Sequence, residues 1–289
     1  MPAIPHFSSL LYWAFYLVPV YLFIIVPGLR ALFPHQTPGP LLQDDFYDDE
    51  FTGGLESVAD DTEYAALSCP EDPYRVHIFS RTPLIVYIEN FLSESETNHL
   101  LDVSEGKYKP SSIYNGDSER VDFSVRRSDR ALLDRDNVVR CLEERARSFQ
   151  GWRPYLHIEQ MWTQRYNVSG HYRHHFDWSG SGGAGDRVST FMVYLQMNGT
   201  GGGTNFPRLR RPRGAEWCRF IECDDVTGKN SPDRLKGITF KPIEGNAIFW
   251  ENLRADGSGY LETWHAALPV LSGTKVGMNI WSWNQPPSR

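Results

Sequence analysis

The 289-residue chain has only four cysteines, Cys69, Cys141, Cys218 and Cys223, and no CxxC. A thiolate zinc site and a thioredoxin-like redox motif therefore lack their usual ligands. Positive charge is not in excess either: the formal net charge is −7, so no global signal points to nucleic acid. No internal repeat is evident. Long apolar runs are missing everywhere but at the start, where Ser8 to Gly28, SSLLYWAFYLVPVYLFIIVPG, carries no charge and has about the length that crosses a bilayer as a helix. The preceding MPAIPHF lacks the Lys or Arg of a signal-peptide n-region, and VPGLRALF does not resemble a small-residue cleavage site.

The sequence predicts a short tail over 1–7 and a single membrane-spanning signal anchor over 8–28, with a cleaved signal peptide and a buried core helix as the alternatives. Arg30, the one cation close to the span, favours a cytosolic position for the C-terminal side of the span. The sequons Asn167-Val-Ser and Asn198-Gly-Thr favour a lumenal one. Residues 29–82 are rich in Pro, Gly and acids, as in QTPGPLLQDDFYDDEFTGGLESVADDTE, and show no sustained period, which suits a flexible stem. WCRFIEC holds Cys218 and Cys223 five positions apart, either as a small disulfide loop or as two thiols.

With 40% hydrophobic and 13% aromatic residues the remainder has ample material for a core, and a folded domain is expected over 83–289. LIVYIENF reads as a strand, and Ser93 with Glu96 makes a capping-box signature for a following helix. DNVVRCLEERARSF, residues 136–149, has apolar positions at helical spacing. From about Ile158 short β-rich runs alternate with Gly and Pro, which indicates an antiparallel sandwich or barrel. The expected fold is α+β, with helices ahead of a β-sandwich.

GHYRHHFDWSG, residues 170–180, gathers three histidines and an aspartate. On a strand, His175 and Asp177 share a face while His174 points away. His175-Phe176-Asp177 then offers an imidazole and a carboxylate to one point, two of the three ligands of a 2-His-1-carboxylate site. Among the other histidines, His6 precedes the apolar run, His35 lies in the stem, and His77, His99 and His157 come earlier in the fold. His265, in LETWHAALPV, lies on a later β segment about 90 residues on. Ten residues further, Lys275 would need an anion if it projects inward. His171, just after Gly170, has no assigned role. Arg208, Arg210, Arg211 and Arg213 form a basic cluster, either a solvated loop or a receiver for an acidic substrate or partner.

Y-N-V-S-G-H-Y-x-x-H-F-D-W, then GGGTNFP, EGNAIFWENL and WHAALPVxxGTKxxxNIW, together with VYIENFLSESE and VRRS earlier, resemble the 2-oxoglutarate and Fe(II)-dependent oxygenases of the prolyl 4-hydroxylase alpha-subunit type. The likeness covers roughly residues 83–285 in order. It implies a double-stranded β-helix (jelly-roll) core, with Fe(II) held by His175, Asp177 and His265, and Lys275 pairing with the distal carboxylate of 2-oxoglutarate. Tyr166 and Thr204 would help hold that cosubstrate, and Trp281 would line its pocket. The implied activity is hydroxylation of an unactivated C–H with O2 and 2-oxoglutarate as cosubstrates, succinate and CO2 as co-products, and L-ascorbate admitted as an additional cofactor. The substrate would be a prolyl residue in a peptide or protein, the alternative being a small-molecule metabolite. The family's usual place, the lumen of the endoplasmic reticulum, would make the chain a single-pass membrane glycoprotein. No separate peptide-binding domain is expected ahead of the catalytic part, and nothing in the sequence reads the oligomeric state.

Overall fold

The computed structural model describes residues 67–70, 73–114, 119–179, 186–223 and 237–284. The run 8–28 and the stretch 29–66 lie outside them, and among the described residues no helix is long and apolar enough to cross a membrane. In chain order the elements begin with strands β1 (Arg75–Arg81) and β2 (Leu84–Glu89) and helix α1 (Glu94–Ser104). Then come β3 (Lys109–Pro110), β4 (Ile113–Tyr114), β5 (Glu119–Arg120), β6 (Arg126–Arg127), β7 (Asp129–Leu132) and helix α2 (Asn137–Phe149). They continue with β8 (Leu156–Ile158), β9 (Trp162–Tyr166), β10 (His171–His175), β11 (Arg187–Met197), β12 (Thr200–Gly201) and β13 (Thr204–Phe206). The last are β14 (Ile238–Phe240), β15 (Ala247–Glu251), β16 (His265–Ala267), β17 (Val270–Ser272) and β18 (Lys275–Asn284).

Among the described residues the fold is mostly β, built on two large antiparallel sheets, with two-stranded pairs β4-β5 and β12-β17 beside them. The nine-stranded sheet runs β1-β2-β15-β11-β18-β9-β7-β3 with β8 on β18, and the five-stranded sheet runs β14-β13-β16-β10-β6. The sequence expectation of helices ahead of the sandwich is corrected at one end. β1 lies inside the stretch expected to be stem, pairs with β2, and through β2 joins β15. The sheet therefore begins at Arg75, ahead of the expected boundary at residue 83.

Both helices start where their caps dictate. The Ser93 hydroxyl accepts from Glu96 N and the Glu96 carboxylate accepts from Ser93 N, a closed capping box. Asp136 caps α2 by accepting from Val139 N. α2 buries Val139, Leu142 and Ala146, spaced three and four apart, against one face of the large sheet. That face carries Phe191, Val193 and Leu195 of β11 and Val276, Met278 and Ile280 of β18. The alternate residues, among them Met192 and Tyr194, face the small sheet and pack with Phe206, Ile238, Phe240, Ile248 and Trp250. β11 is buried on both faces, so it reads as a continuous apolar run and not an alternating one. Each fully buried Leu, Ile or Phe contributes about 1.5–3 kcal/mol relative to exposure. A third cluster gathers Ile113, Val125, Tyr166, Tyr172 and Val270, with Ala267 packed against it.

Two disulfides are present. Cys218 pairs with Cys223, and Cys69 pairs with Cys141 on α2, across 72 residues. The second pairing has no signature in the sequence.

Candidate metal centre

β10 and β16 run antiparallel with His175 directly opposite His265. The register shifts between Tyr172↔Ala267 and His175↔His265, three residues on one strand against two on the other, so β10 carries a bulge. The bulge puts Tyr172 and His175 on the same inner face, with ring centroids 3.8 Å apart. Asp177 lies just past the end of β10 and is buried, 7% exposed.

Three donor atoms, one from each of His175, Asp177 and His265, lie within 4.8 Å of one another. Asp177 Oδ1 is 3.5 Å from His175 Nε2 and 3.8 Å from His265 Nε2. The tautomers follow from the backbone: His175 Nδ1 donates to Arg173 O at 2.8 Å, and His265 Nδ1 donates to Thr263 O at 2.9 Å. Each Nε2 is thereby left as a lone pair facing the other donors. Asp177 Oδ2 accepts from the Thr190 hydroxyl at 2.8 Å, and Thr190 in turn accepts from Asn252 Nδ2, which leaves Oδ1 for the centre.

The electrostatics agree with ligation. Burial lowers the His265 pKa to about 4 against the raising effect of Asp177, so the ring is neutral near pH 7. Burial alone would raise Asp177, but His265, His175 and Arg187 outweigh it and hold the carboxyl ionised, below the usual carboxylate range. Two imidazole Nε2 atoms and one carboxylate on a common point form the donor set of a facial triad, which leaves open positions on a non-haem Fe(II).

Lys275 begins β18 opposite Tyr166 of β9 and Met197 of β11. It is fully buried, 0% exposed, and its Nζ has no hydrogen-bond partner. Nζ stands 5.3 Å from the Tyr166 ring and 5.4 Å from the Tyr194 ring. Burial pulls its pKa down to about 7. Tyr194 OH hydrogen-bonds the Thr204 hydroxyl at 2.8 Å. Gly202, at φ +67°, lets the backbone pass the lysine stem: a Cβ there would lie 3.1 Å from Lys275 Cδ. At the other end of β18, Trp281 Nε1 is also buried without a partner, and the Arg187 guanidinium lies 3.6 Å from its ring centroid. Orphaned buried donors of this kind are expensive unless an acceptor arrives. The residues present thus fit both a metal cation and a carboxylate-bearing cosubstrate.

The structure brings His175, Asp177 and His265 together and puts Tyr166 and Thr204 around Lys275. Trp281 is placed beside Thr190, its register partner on β11. His174 faces outward, its Nε2 2.9 Å from Asn205 Oδ1, apart from the triad. His171 is likewise outside the cluster, held by the carbonyls of Ser169 and Ser124. Asn167 and Asn198 are exposed, each with its Oδ1 accepting from Thr274. Thr190, Tyr194, Asn252 and the buried Arg187–Glu159 pair at 2.7 Å escaped the sequence reading. Thr190 was the accessible one: it is a polar residue in an apolar strand, at the same parity as Tyr194.

Residues 161–283 match the 2OG-Fe(II) oxygenase superfamily. Those residues, which include the triad and Lys275, are thus similar to an oxygenase domain of a superfamily whose cofactor is Fe(II) and whose cosubstrate is 2-oxoglutarate. Within it the similarity is to prolyl 4-hydroxylases. The chain is 27% identical over 220 residues to prolyl 4-hydroxylase subunit alpha-2 of Caenorhabditis elegans, covering 72% of this chain and 36% of that one. It is 28% identical over 221 residues to probable prolyl 4-hydroxylase 7 of Arabidopsis thaliana, covering 73% and 66%. A viral collagen prolyl hydroxylase from Paramecium Bursaria Chlorella virus-1, crystallised as its 2OG complex, aligns with TM-score 0.50 and 25% identity over 68% of this chain and 94% of that one. The chain thus spans about a third of the length of the nematode alpha subunit.

Proposed function

We propose that the domain is a prolyl 4-hydroxylase-like enzyme on a jelly-roll core, with His175, Asp177 and His265 as the Fe(II) ligands. Bound iron supplies oxygen activation coupled to oxidative decarboxylation of 2-oxoglutarate, giving succinate, CO2 and a hydroxylated prolyl residue in a peptide or protein. Lys275 offers its ammonium to the distal carboxylate of the cosubstrate, with Tyr166 and Thr204 around it. Trp281, with the Arg187 guanidinium over its ring, stands beside Thr190, whose hydroxyl holds Asp177.

The observation that carries the reading is the pairing of a convergent Nε2–Nε2–Oδ1 triad with a buried, unpartnered Lys275 ammonium. Neither half has a structural use alone. The similarity to prolyl 4-hydroxylases supports the substrate class. The uncharged run 8–28 and the exposed sequon asparagines support a single-pass anchor with the domain in the endoplasmic reticulum lumen, and two disulfides suit that oxidising compartment.

The test incubates the iron-loaded chain with 2-oxoglutarate and a panel of proline-containing peptides, following succinate and a mass gain of one oxygen on the peptide. The expected result is coupled formation of both, abolished by Asp177→Ala. Succinate formed without any peptide product across the panel would overturn the prolyl reading in favour of a small-molecule substrate. Sensitivity of the protein's mass to endoglycosidase tests the compartment, and absence of sugar at both asparagines would count against it.

A further inference from the structure

The outer face of the small sheet, behind the metal triad, carries an aromatic ledge. Phe176, between two proposed ligands, has its ring centroid 4.5 Å from that of Trp178 and 4.6 Å from that of Trp264, the residue before His265. Arg208 roofs this stack: its guanidinium lies 5.5 Å from the Phe176 ring centroid and 5.4 Å from that of Trp264, and Nη1 donates to Leu261 O at 2.8 Å. Phe176 and Trp264 are only half-buried. Arg208, Arg210, Arg211 and Arg213 follow one another along the loop after β13, all four exposed, and the exposed Arg173 lies in the β10 bulge. Both Arg173 and Arg208 stand close enough to His174 to act on it electrostatically.

Elsewhere in this fold arginines find carboxylates, as in Arg135–Glu143, Arg145–Glu96, Arg187–Glu159 and Arg219–Glu89. No carboxylate among the described residues pairs with any of the five on this face. Clustered exposed cations repel one another and are weakly placed without an anion. In a chain whose net charge is −7, Arg208 over two aromatic rings, with three more exposed arginines within five residues of it on the same loop, makes a surface complementary to an acidic, aromatic-bearing ligand. Arginine and tryptophan are also the side chains that dominate interface energetics. The rings are tilted against one another and lie partly exposed beside the Arg208 guanidinium, a mixed aromatic and cationic surface that suits an acidic peptide.

The geometry points to this face as a docking surface for an acidic polypeptide segment carrying aromatic or prolyl side chains, on the side of the sheet opposite the reacting space. Arg208 with Phe176 and Trp264 supplies the aromatic contact. Arg173, Arg210, Arg211 and Arg213 supply the charge.

The test uses the full chain and two synthetic peptides of equal length, one built from Glu-Glu-Phe-Pro repeats and one with every Glu replaced by Gln, with binding read by tryptophan fluorescence and calorimetry. The Glu peptide is expected to bind and the Gln peptide to bind on the order of tenfold or more weakly, the contact weakening as salt rises. A triple Arg210→Gln, Arg211→Gln, Arg213→Gln variant touches only exposed side chains, so its fold and iron affinity should be kept. Its affinity for the Glu peptide should fall on the order of tenfold. Equal binding of the two peptides, no binding, or full affinity in the triple variant would overturn the proposal. So would stronger binding to vesicles of phosphatidylserine than to the Glu peptide, which would make the face a lipid contact.

Discussion

Replacing Lys275 with methionine should make the iron-free, cosubstrate-free protein more stable while abolishing its response to 2-oxoglutarate. The lysine is 0% exposed, and its pKa falls from the ordinary 10.5 to about 7 because burial penalises the charged form. That difference corresponds to about 5 kcal/mol against folding at any pH below 7. Methionine fills a similar volume without the charge, but it gives up the cation–π contacts to Tyr166 and Tyr194, worth about 0.5–1 kcal/mol each. The net expected gain is roughly 3–4 kcal/mol, or about 6–16 °C in Tm at roughly 2–4 °C per kcal/mol for a domain of this size.

The pH dependence gives the sharper check. Between pH 7 and 10.5 the unfolded chain holds the Lys275 proton more often than the folded one, so wild-type stability rises with pH in this window. The advantage of Lys275→Met should therefore be full below pH 7, shrink as the pH climbs, and vanish above 10.5. The assay is thermal unfolding of both proteins from pH 6 to 10, with and without 2-oxoglutarate. At about 100 times Kd the cosubstrate should add about 2.7 kcal/mol to the wild type and nothing to the variant. A variant less stable than wild type at pH 6, or an advantage independent of pH, would refute the claim that an uncompensated charge sits there.

Thr190→Val removes the hydroxyl that fixes Asp177 Oδ2 while keeping the side-chain shape. Metal affinity, read by anaerobic Fe(II) titration, should drop about 10–100-fold, and an unchanged affinity would remove Thr190 from the site. His174→Gln should leave that affinity within about twofold, since the ring points to Asn205 and not to the triad; a loss comparable to that of His175→Ala would show the bulge to be misplaced. Separate double Cys→Ser variants should differ in cost: about 4 kcal/mol for Cys69–Cys141, which closes 72 residues, against about 2 kcal/mol for Cys218–Cys223, which closes five. Denaturant unfolding checks this, and equal costs would mean that loop closure is not the dominant effect.

The ligands were legible because their spacing survives local irregularity. His175 and Asp177 stay on one side although Asp177 lies beyond the strand, because the bulge falls before His175 and not between them. Alternation counted backward through that bulge would misplace Tyr172, which the structure puts beside His175. The pairing of Cys69 with Cys141 and the union of β1 with the large sheet join distant segments, and no local pattern encodes such pairings. β1 also has an ambiguous pattern, with most of its residues exposed or half-exposed, so nothing in Arg75–Arg81 separates an edge strand from a polar stem.

There is a physical reason why the reacting groups could be found and their supports could not. Lys275, His175 and Asp177 break the rule of their surroundings: a cation at the start of a buried strand and polar side chains facing a sheet interior are anomalies that a sequence displays. Tyr194, Asn252 and Arg187 obey it, or are satisfied by partners far along the chain, such as Thr204 for Tyr194, Thr190 for Asn252 and Glu159 for Arg187. A satisfied polar group is invisible until the register is known. Two of the buried donors left without a hydrogen-bond partner, Lys275 Nζ and Trp281 Nε1, lie on one face of β18 six residues apart, and the fold holds them in place before any ligand arrives. On the proposed function the loss of stability at Lys275 is borne by the ligand-free protein and recovered on binding, so that affinity for an anionic cosubstrate would be gained through preorganisation and not through a later rearrangement.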